Sequence, residues 1–381
     1  MKKQRIALIA FSAAIVIASF LIPGGCYAAP VYTIRVAIAQ HTDTLQVKVD
    51  GGFEVIDSSS KLLLYRGENL FTTVTVYARS VLLGEIKVTA PKFLIRPANP
   101  DAITIDGRRF RDSIEFTRKE NGAMLLVNVI NLEDYIKGVL YHEVSHYWPM
   151  EVLKAQAVVC RTYALYQMQE NKAQGFDVTN DTYSQVYGGR TSERYRTNKA
   201  ADETKNLVLV YQGSLIPAYF HATCGGHTEN ASLLWKIDLP PLSGVPCTFC
   251  KGSPHFDWHS VLELGELRQR LVNAGYTLGV IKKIEIKGRD ASGRITDLRV
   301  ISSKNEISIS AKDFRAAAGP NDIRCTNFTV EVVEGDAVFV GAGWGHGVGM
   351  CQWGAYFMAK EGSQYREILQ YYYPGSNISC L

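Results

Sequence analysis

The chain of 381 residues is 46% apolar and 20% charged, which predicts an ordinary packed core and excludes a disordered polyelectrolyte. Its formal charge is +4 and falls to +1 once Lys2, Lys3 and Arg5 are set aside with the N-terminal segment, so no basic footprint for nucleic acid remains. No period of ~20–50 residues recurs, which excludes a repeat architecture.

Residues 1–30 read as a targeting segment. Lys2, Lys3 and Arg5 lead into an apolar run over residues 6–22, and Gly24, Gly25, Cys26, Tyr27, Ala28 and Ala29 supply the small residues of a cleavage site after Ala28. A signal peptide over residues 1–28, cleaved on export, is the preferred reading. A retained anchor is the first alternative, although the run falls just short of the ~20 residues that span a bilayer. Lipidation at Cys26 is the second, and Pro23 sits poorly in such a signal. Contact with a membrane is expected only through one of these two.

Residues 31–120 form a β-rich region, expected to be a scaffold without chemistry. Tyr32-Thr33-Ile34-Arg35-Val36-Ala37-Ile38, Leu45-Gln46-Val47-Lys48-Val49 and Thr73-Val74-Thr75-Val76-Tyr77 alternate, and Asp50-Gly51-Gly52 and Asp106-Gly107 mark turns between such runs. A long helix follows, with Pro149 at its first position and Glu151 near its positive end. Leu153, Ala157, Cys160, Ala164 and Met168 recur at helical spacing, while Ala155, Val159 and Tyr163 fill a second face. A helix apolar on so many sides is buried, as a central pillar. Further on we expect a hairpin over 207–220 turning at Gln212-Gly213, a helix over 261–274, and strands at 282–287 and 297–301. A glycine-rich strand-to-helix turn at 341–349 then leads into a helix over 352–360. The class is α+β.

Three stretches carry a resemblance. The first is Leu132-Glu133-Asp134-Tyr135-Ile136-Lys137-Gly138-Val139-Leu140-Tyr141-His142-Glu143-Val144, running into Pro149-Met150-Glu151-Val152-Leu153-Lys154-Ala155-Gln156-Ala157 and Arg161-Thr162-Tyr163-Ala164. The second joins Gln185-Val186-Tyr187 to His221-Ala222-Thr223-Cys224-Gly225-Gly226-His227-Thr228-Glu229. The third is Gly343-Trp344-Gly345-His346-Gly347-Val348-Gly349-Met350-Cys351-Gln352-Trp353-Gly354-Ala355, ending in Tyr372-Tyr373-Pro374-Gly375. Their order and content resemble the stage II sporulation protein D and amidase-enhancer family, over residues 31–378. The resemblance makes residues 121–381 the catalytic domain.

That resemblance implies a lytic transglycosylase acting on peptidoglycan glycan strands stripped of stem peptides, with Glu143 as the catalytic acid. It also brings in a cell-wall amidase as a partner. From the residues alone, a general acid working near neutral pH needs a raised pKa, which Tyr141, Tyr147 and Trp148 could supply by burying it. A helix N-terminus nearby would pull the other way, and Glu143 could instead simply cap the long helix. His346 sits among glycines that let backbone and ligand approach closely, so it is expected to contact sugar or orient Glu143; pinning a tight turn is the alternative. Gln185, Tyr187, Trp344 and Gln352, with Trp353, are expected on the same surface. Two other functions compete: a non-enzymatic amidase enhancer that binds peptidoglycan, and a hydrolytic muramidase pairing Glu143 with Asp181 or Glu229.

Eight cysteines become seven if the signal is cut. Cys247-Thr248-Phe249-Cys250 has the spacing of a zinc knuckle, and Cys224, Cys247, Cys250 and His255 make an expected structural zinc site. His221, His227 and His259 are other candidates for the fourth ligand, and a disulfide or free thiols are the competing states. Certain relatives hold metal just before Gln185, but residues 175–181 contain no cysteine here. Cys160 and Cys351 allow a nucleophilic thiol served by His142 or His346, disfavoured because Cys160 belongs to the buried stripe. Cys325 and Cys380 could pair with each other.

Overall fold

A computed structural model describes residues 31–381 apart from 43, 78 and 173, so the targeting segment lies outside the described residues. Alternation builds the first sheet. In Thr44–Asp57, Leu45, Val47 and Val49 are buried while Gln46, Lys48 and Asp50 face water, and the strand pairs with Leu63–Tyr77 in a long hairpin. The sheet has eleven strands. Thr33–Thr42 lies in it between Met124–Asn131, antiparallel, and Val178–Thr179, parallel. Asp106 and Gly107 turn a hairpin with φ of 45° and 78°. Asp50-Gly51-Gly52 does not turn: the strand runs through it with a register shift between Val49 and Gly52.

Met124–Asn131 feeds directly into helix α1, Leu132–Glu143, whose N-cap Asn131 accepts from the Glu133 N–H at 2.9 Å. Helix α2, Met150–Glu170, is the expected pillar, with residues 155–165 all buried. Pro149 is its N-cap rather than its first helical residue.

The two helices are joined by an ion pair in the core. The Arg161 guanidinium is fully buried and grips both Glu133 oxygens, at 2.8 and 2.7 Å, while donating to the Leu207 and Ala201 carbonyls. Truncating one partner of such a pair strands the other's charge. Arg161→Ala is therefore expected to cost about 3–5 kcal/mol, read from the denaturant midpoint. A loss within measurement error would remove the pair from the fold's support.

Six further helices complete the described set: α3 (Tyr195–Glu203), α4 (Ala231–Trp235), α5 (Leu264–Asn273), α6 (Ala311–Ala318), α7 (Gln352–Lys360) and α8 (Tyr365–Tyr372). The class is α+β. Two further expectations need correction. The hairpin expected over 207–220 closes early, between Leu207–Tyr211 and Ser214–Leu215, because Phe220–His221 pairs instead with Met350–Cys351. The helix expected from 261 starts at Leu264, because Asp257–Glu263 is a strand paired along Asp336–Ala342 with Trp258 and Leu262 turned inward.

Hydrophobic packing falls into three main clusters. One lies under the large sheet and α1, a second surrounds α2, α7 and α8, and a third holds Trp258, Phe314, Phe328 and Phe339 beside α5 and α6. Among the described residues, no helix is long and apolar enough to cross a membrane.

Candidate active site

Glu143 is the last residue of α1, and the chain leaves the helix at Val144 in extended conformation. It therefore does not cap α2. It sits instead at the negative end of the α1 dipole, which disfavours a carboxylate. Its Oε1 accepts the Val186 N–H at 3.2 Å, and its backbone carbonyl accepts the Gln352 amide at 3.0 Å. Burial pushes the Glu143 carboxyl up to about 7, with the Val186 N–H pulling weakly the other way. That is the range of a general acid at neutral pH.

Two cavities share Glu143 in their walls. The smaller, about 300 Å³, is lined by Glu143, Val186, Tyr163, Tyr219, Trp235 and His346, among others. The larger, about 380 Å³, has Glu143 with Trp148, His255, Trp344, Gln352 and Trp353 in its walls. Among the residues lining either cavity, Glu143 is the sole carboxylic acid. Asp181 is tied into its own turn by the Thr179 hydroxyl and the Tyr183 N–H, and the buried Glu229 accepts from the Asn230 N–H and the Ser292 hydroxyl. Neither carboxylate is among the residues lining these two cavities.

His346 stands in a loop where Gly343, Gly345, Gly347 and Gly349 all have positive φ. At Gly349 a Cβ would meet the Tyr219 carbonyl oxygen at 2.0 Å, so only glycine allows this approach. The imidazole packs against Trp235 and His221, ring centroids 5.1 and 5.6 Å away. Its Nδ1 accepts from the Val348 N–H at 3.1 Å, which leaves the proton of the neutral ring on Nε2. Burial lowers its pKa to about 4, with the Arg315 and Arg294 charges acting the same way against a backbone bond to Phe220. It is neutral at pH 7.

Trp344 and Gln352 line the larger cavity, and Trp353 packs edge-on against Trp148 at 4.9 Å. Gln185 and Tyr187 are placed differently. Both are buried and line neither cavity: Gln185 accepts from the Tyr135 hydroxyl at 3.1 Å, and the Tyr187 hydroxyl donates to Asn128 at 2.7 Å. They anchor the segment on either side of Val186, whose N–H is the one that meets Glu143. Tyr147 is 81% exposed and does not bury the acid. Val186, Tyr219 and Trp235 were not expected in the site.

The cysteines also regroup. The sulfur atoms of Cys224, Cys247, Cys250 and Cys351 lie within 4.8 Å of one another, and all four residues are buried. His255 is not among them: its ring turns to Trp344, edge-on at 4.8 Å, and Cys351 takes the fourth corner. Cys160 is buried, and that burial pushes its thiol well above the usual range, which argues against a nucleophile. Cys325 is a free thiol and so does not pair with Cys380.

A family model described as stage II sporulation protein matches residues 120–211, and one for a domain of unknown function matches residues 249–349. The first segment carries Glu143 and Val186; the second carries His255, Trp344 and His346. An uncharacterised protein of Brachyspira hyodysenteriae (strain ATCC 49526 / WA1) is 40% identical over 279 residues, 73% of this chain and 74% of its own. The amidase enhancer of Bacillus subtilis (strain 168) is 30% identical over 346 residues, covering 78% of this chain and 48% of its own length. The stage II sporulation protein D of the same organism is 32% identical over 308 residues, 74% of this chain and 83% of its own. On that extent of likeness, the chain belongs to the stage II sporulation protein D family.

Proposed function

We propose that this protein is an exported lytic transglycosylase that cleaves peptidoglycan glycan strands, with residues 121–381 as its catalytic part and Glu143 as acid and base in turn. The observation that carries this reading is that Glu143, the one carboxylic acid among the residues lining two cavities, is raised by burial to about 7. Protonated Glu143 gives its proton to the glycosidic oxygen as the bond to the anomeric carbon of N-acetylmuramate breaks. The carboxylate then takes the proton of that sugar's own C6 hydroxyl, whose oxygen closes on the anomeric carbon. Glu143 ends protonated, as it began, and no water is consumed. A glycosidase would need a second carboxyl beside the sugar to activate water or act as nucleophile.

The flanking cavities suit sugars on either side of the scissile bond. Trp344, Trp353 and Trp148 offer stacking faces, and neutral His346 holds a sugar without competing for the proton. Gln185 and Tyr187 act through Val186. Cys224, Cys247, Cys250 and Cys351 are assigned to a structural zinc that takes no part in the chemistry. The relative named amidase enhancer supports an alternative, a binding module working with a cell-wall amidase.

The test is digestion of defined glycan strands, with and without stem peptides, in heavy-oxygen water. The expected new muramic ends are 1,6-anhydro rings, one water lighter than reducing ends and free of label. Labelled reducing ends would make the protein a muramidase, and no new ends would leave only binding.

A further inference from the structure

The four-cysteine cluster draws together three remote segments. Cys224 follows the strand Phe220–His221, Cys247 and Cys250 flank the start of the short turn Phe249–Gly252, and Cys351 is the N-cap of α7. Tetrahedral zinc–sulfur bonds of about 2.3 Å place the sulfurs about 3.8 Å apart. The cluster fits that size, with Cys224 and Cys250 at 3.4 Å and all four within 4.8 Å. Donors already surround the sulfurs: the Gly354 and Cys224 N–H groups both reach Cys351 at 3.3 Å, and the Tyr372 hydroxyl lies 3.2 Å from Cys247. Such outer contacts fix the direction of thiolate ligands. At Gly354 a Cβ would meet the Cys247 sulfur at 2.9 Å, so α7 packs directly on the cluster.

The wall of the larger cavity hangs from the same residues. Gln352 and Trp353 follow Cys351 directly, and Gln352 holds the Glu143 carbonyl at 3.0 Å. The Trp353 N–H donates to Ala222, two residues before Cys224, at 3.0 Å. Thr223 and Trp344 exchange both backbone bonds, at 3.1 and 2.8 Å. The Thr223 hydroxyl meets Ser253 at 2.9 Å, and Ser253 in turn accepts the His255 N–H at 3.1 Å. Each of these side chains is one bond or a few residues from a cysteine, while Glu143 reaches the cavity from α1 on the other side.

We propose that Cys224, Cys247, Cys250 and Cys351 bind one thiophilic, tetrahedral metal ion, zinc by chemistry, and that this centre is the keystone of the cavity wall facing Glu143. The role of that wall rests on the cleft reading above; its construction by the metal does not. Metal loss leaves the three segments joined by packing and a few backbone bonds, so the register between Gln352 and the Glu143 carbonyl loosens while the eleven-stranded sheet and α2 persist.

The experiment uses the purified full chain under reducing conditions. Elemental analysis should give one zinc per chain, and replacement by cobalt should give the intense visible and sulfur-to-cobalt bands of a four-thiolate tetrahedron. Removing the metal should raise hydrogen exchange at residues 344–353 at least about tenfold, with the amides of α2 unchanged and protection restored by added zinc. Cys351→Ser should shift the cobalt bands; if it fails to fold, stripping and reloading the wild-type chain decides the matter. Absence of metal together with disulfides among these four cysteines overturns the proposal. So does a stripped protein whose protection at 344–353 is unchanged. Neither readout involves glycan cleavage, so failure of the transglycosylase reading leaves this one to stand or fall alone.

Discussion

Glu143→Gln is expected to cut glycan cleavage by at least about a hundredfold while making the folded protein more stable above neutral pH. The amide keeps the size of the acid and can still accept the Val186 N–H, but it has no carboxylic proton to give. Stability moves in the opposite direction because the wild-type carboxyl is held against its preference. Its ordinary value is 4.5 and burial raises it to about 7, so between these limits the native state keeps a proton that the unfolded chain has released. Native stability therefore falls as pH rises through that window; the cost is absent below it and full above it. The shift corresponds to roughly 3 kcal/mol at most, and glutamine does not carry it. Unfolding midpoints at pH 5 and pH 8 separate loss of chemistry from loss of fold. Near-wild-type turnover would remove Glu143 from the acid role, and a variant less stable at pH 8 would contradict the buried-acid account.

Much of the site was legible because its residues lie in long motifs, but their roles depended on packing. Leu132, Tyr135, Ile136, Val139 and Leu140 sit at helical spacing and are all buried, so α1 was readable in outline. Reading that stretch only as a motif left open the alternative that Glu143 caps α2, whereas it ends α1. Gln185 and Tyr187 were expected on the sugar surface because they are polar and aromatic. Their side chains instead bond inward to Tyr135 and Asn128, and it is the backbone N–H of Val186, the unremarked residue between them, that meets the acid.

Tyr219 and Trp235 carried no comparable signal. They reach the cavity because Phe220–His221 crosses to pair with Met350–Cys351 and α4 follows behind it. The same crossing explains the metal ligands. Spacing rules favour a ligand close in sequence, and His255, five residues after Cys250, satisfied them. Cys351 lies 101 residues beyond Cys250 in number, and only the parallel pairing of His221 with Cys351 carries it to Cys224. No local rule spans that distance.

The second large effect concerns pH. The turnover rate is expected to be level below about pH 6 and to fall tenfold per unit above pH 7, reaching about a hundredth of the plateau at pH 9. The reaction starts from protonated Glu143, so the active fraction follows a single ionisation near 7. Around Glu143, burial moves the cavity histidines down and Tyr219 up, away from this ionisation. His346 is held near 4, His142 and His255 are both lowered by burial with help from Arg194 and Arg324, and burial raises Tyr219 to about 12. The later base step uses the same carboxyl and adds no second limb. A muramidase that needed an ionised partner carboxylate would also lose activity on the acid side, giving a bell. Residual activity in Glu143→Gln should be flat across pH 6–9, because the group that titrates is gone. A wild-type rate that rises through pH 7 toward 9 would mean that the working form of Glu143 is the carboxylate, and the single-acid mechanism would fail even with anhydro ends as product.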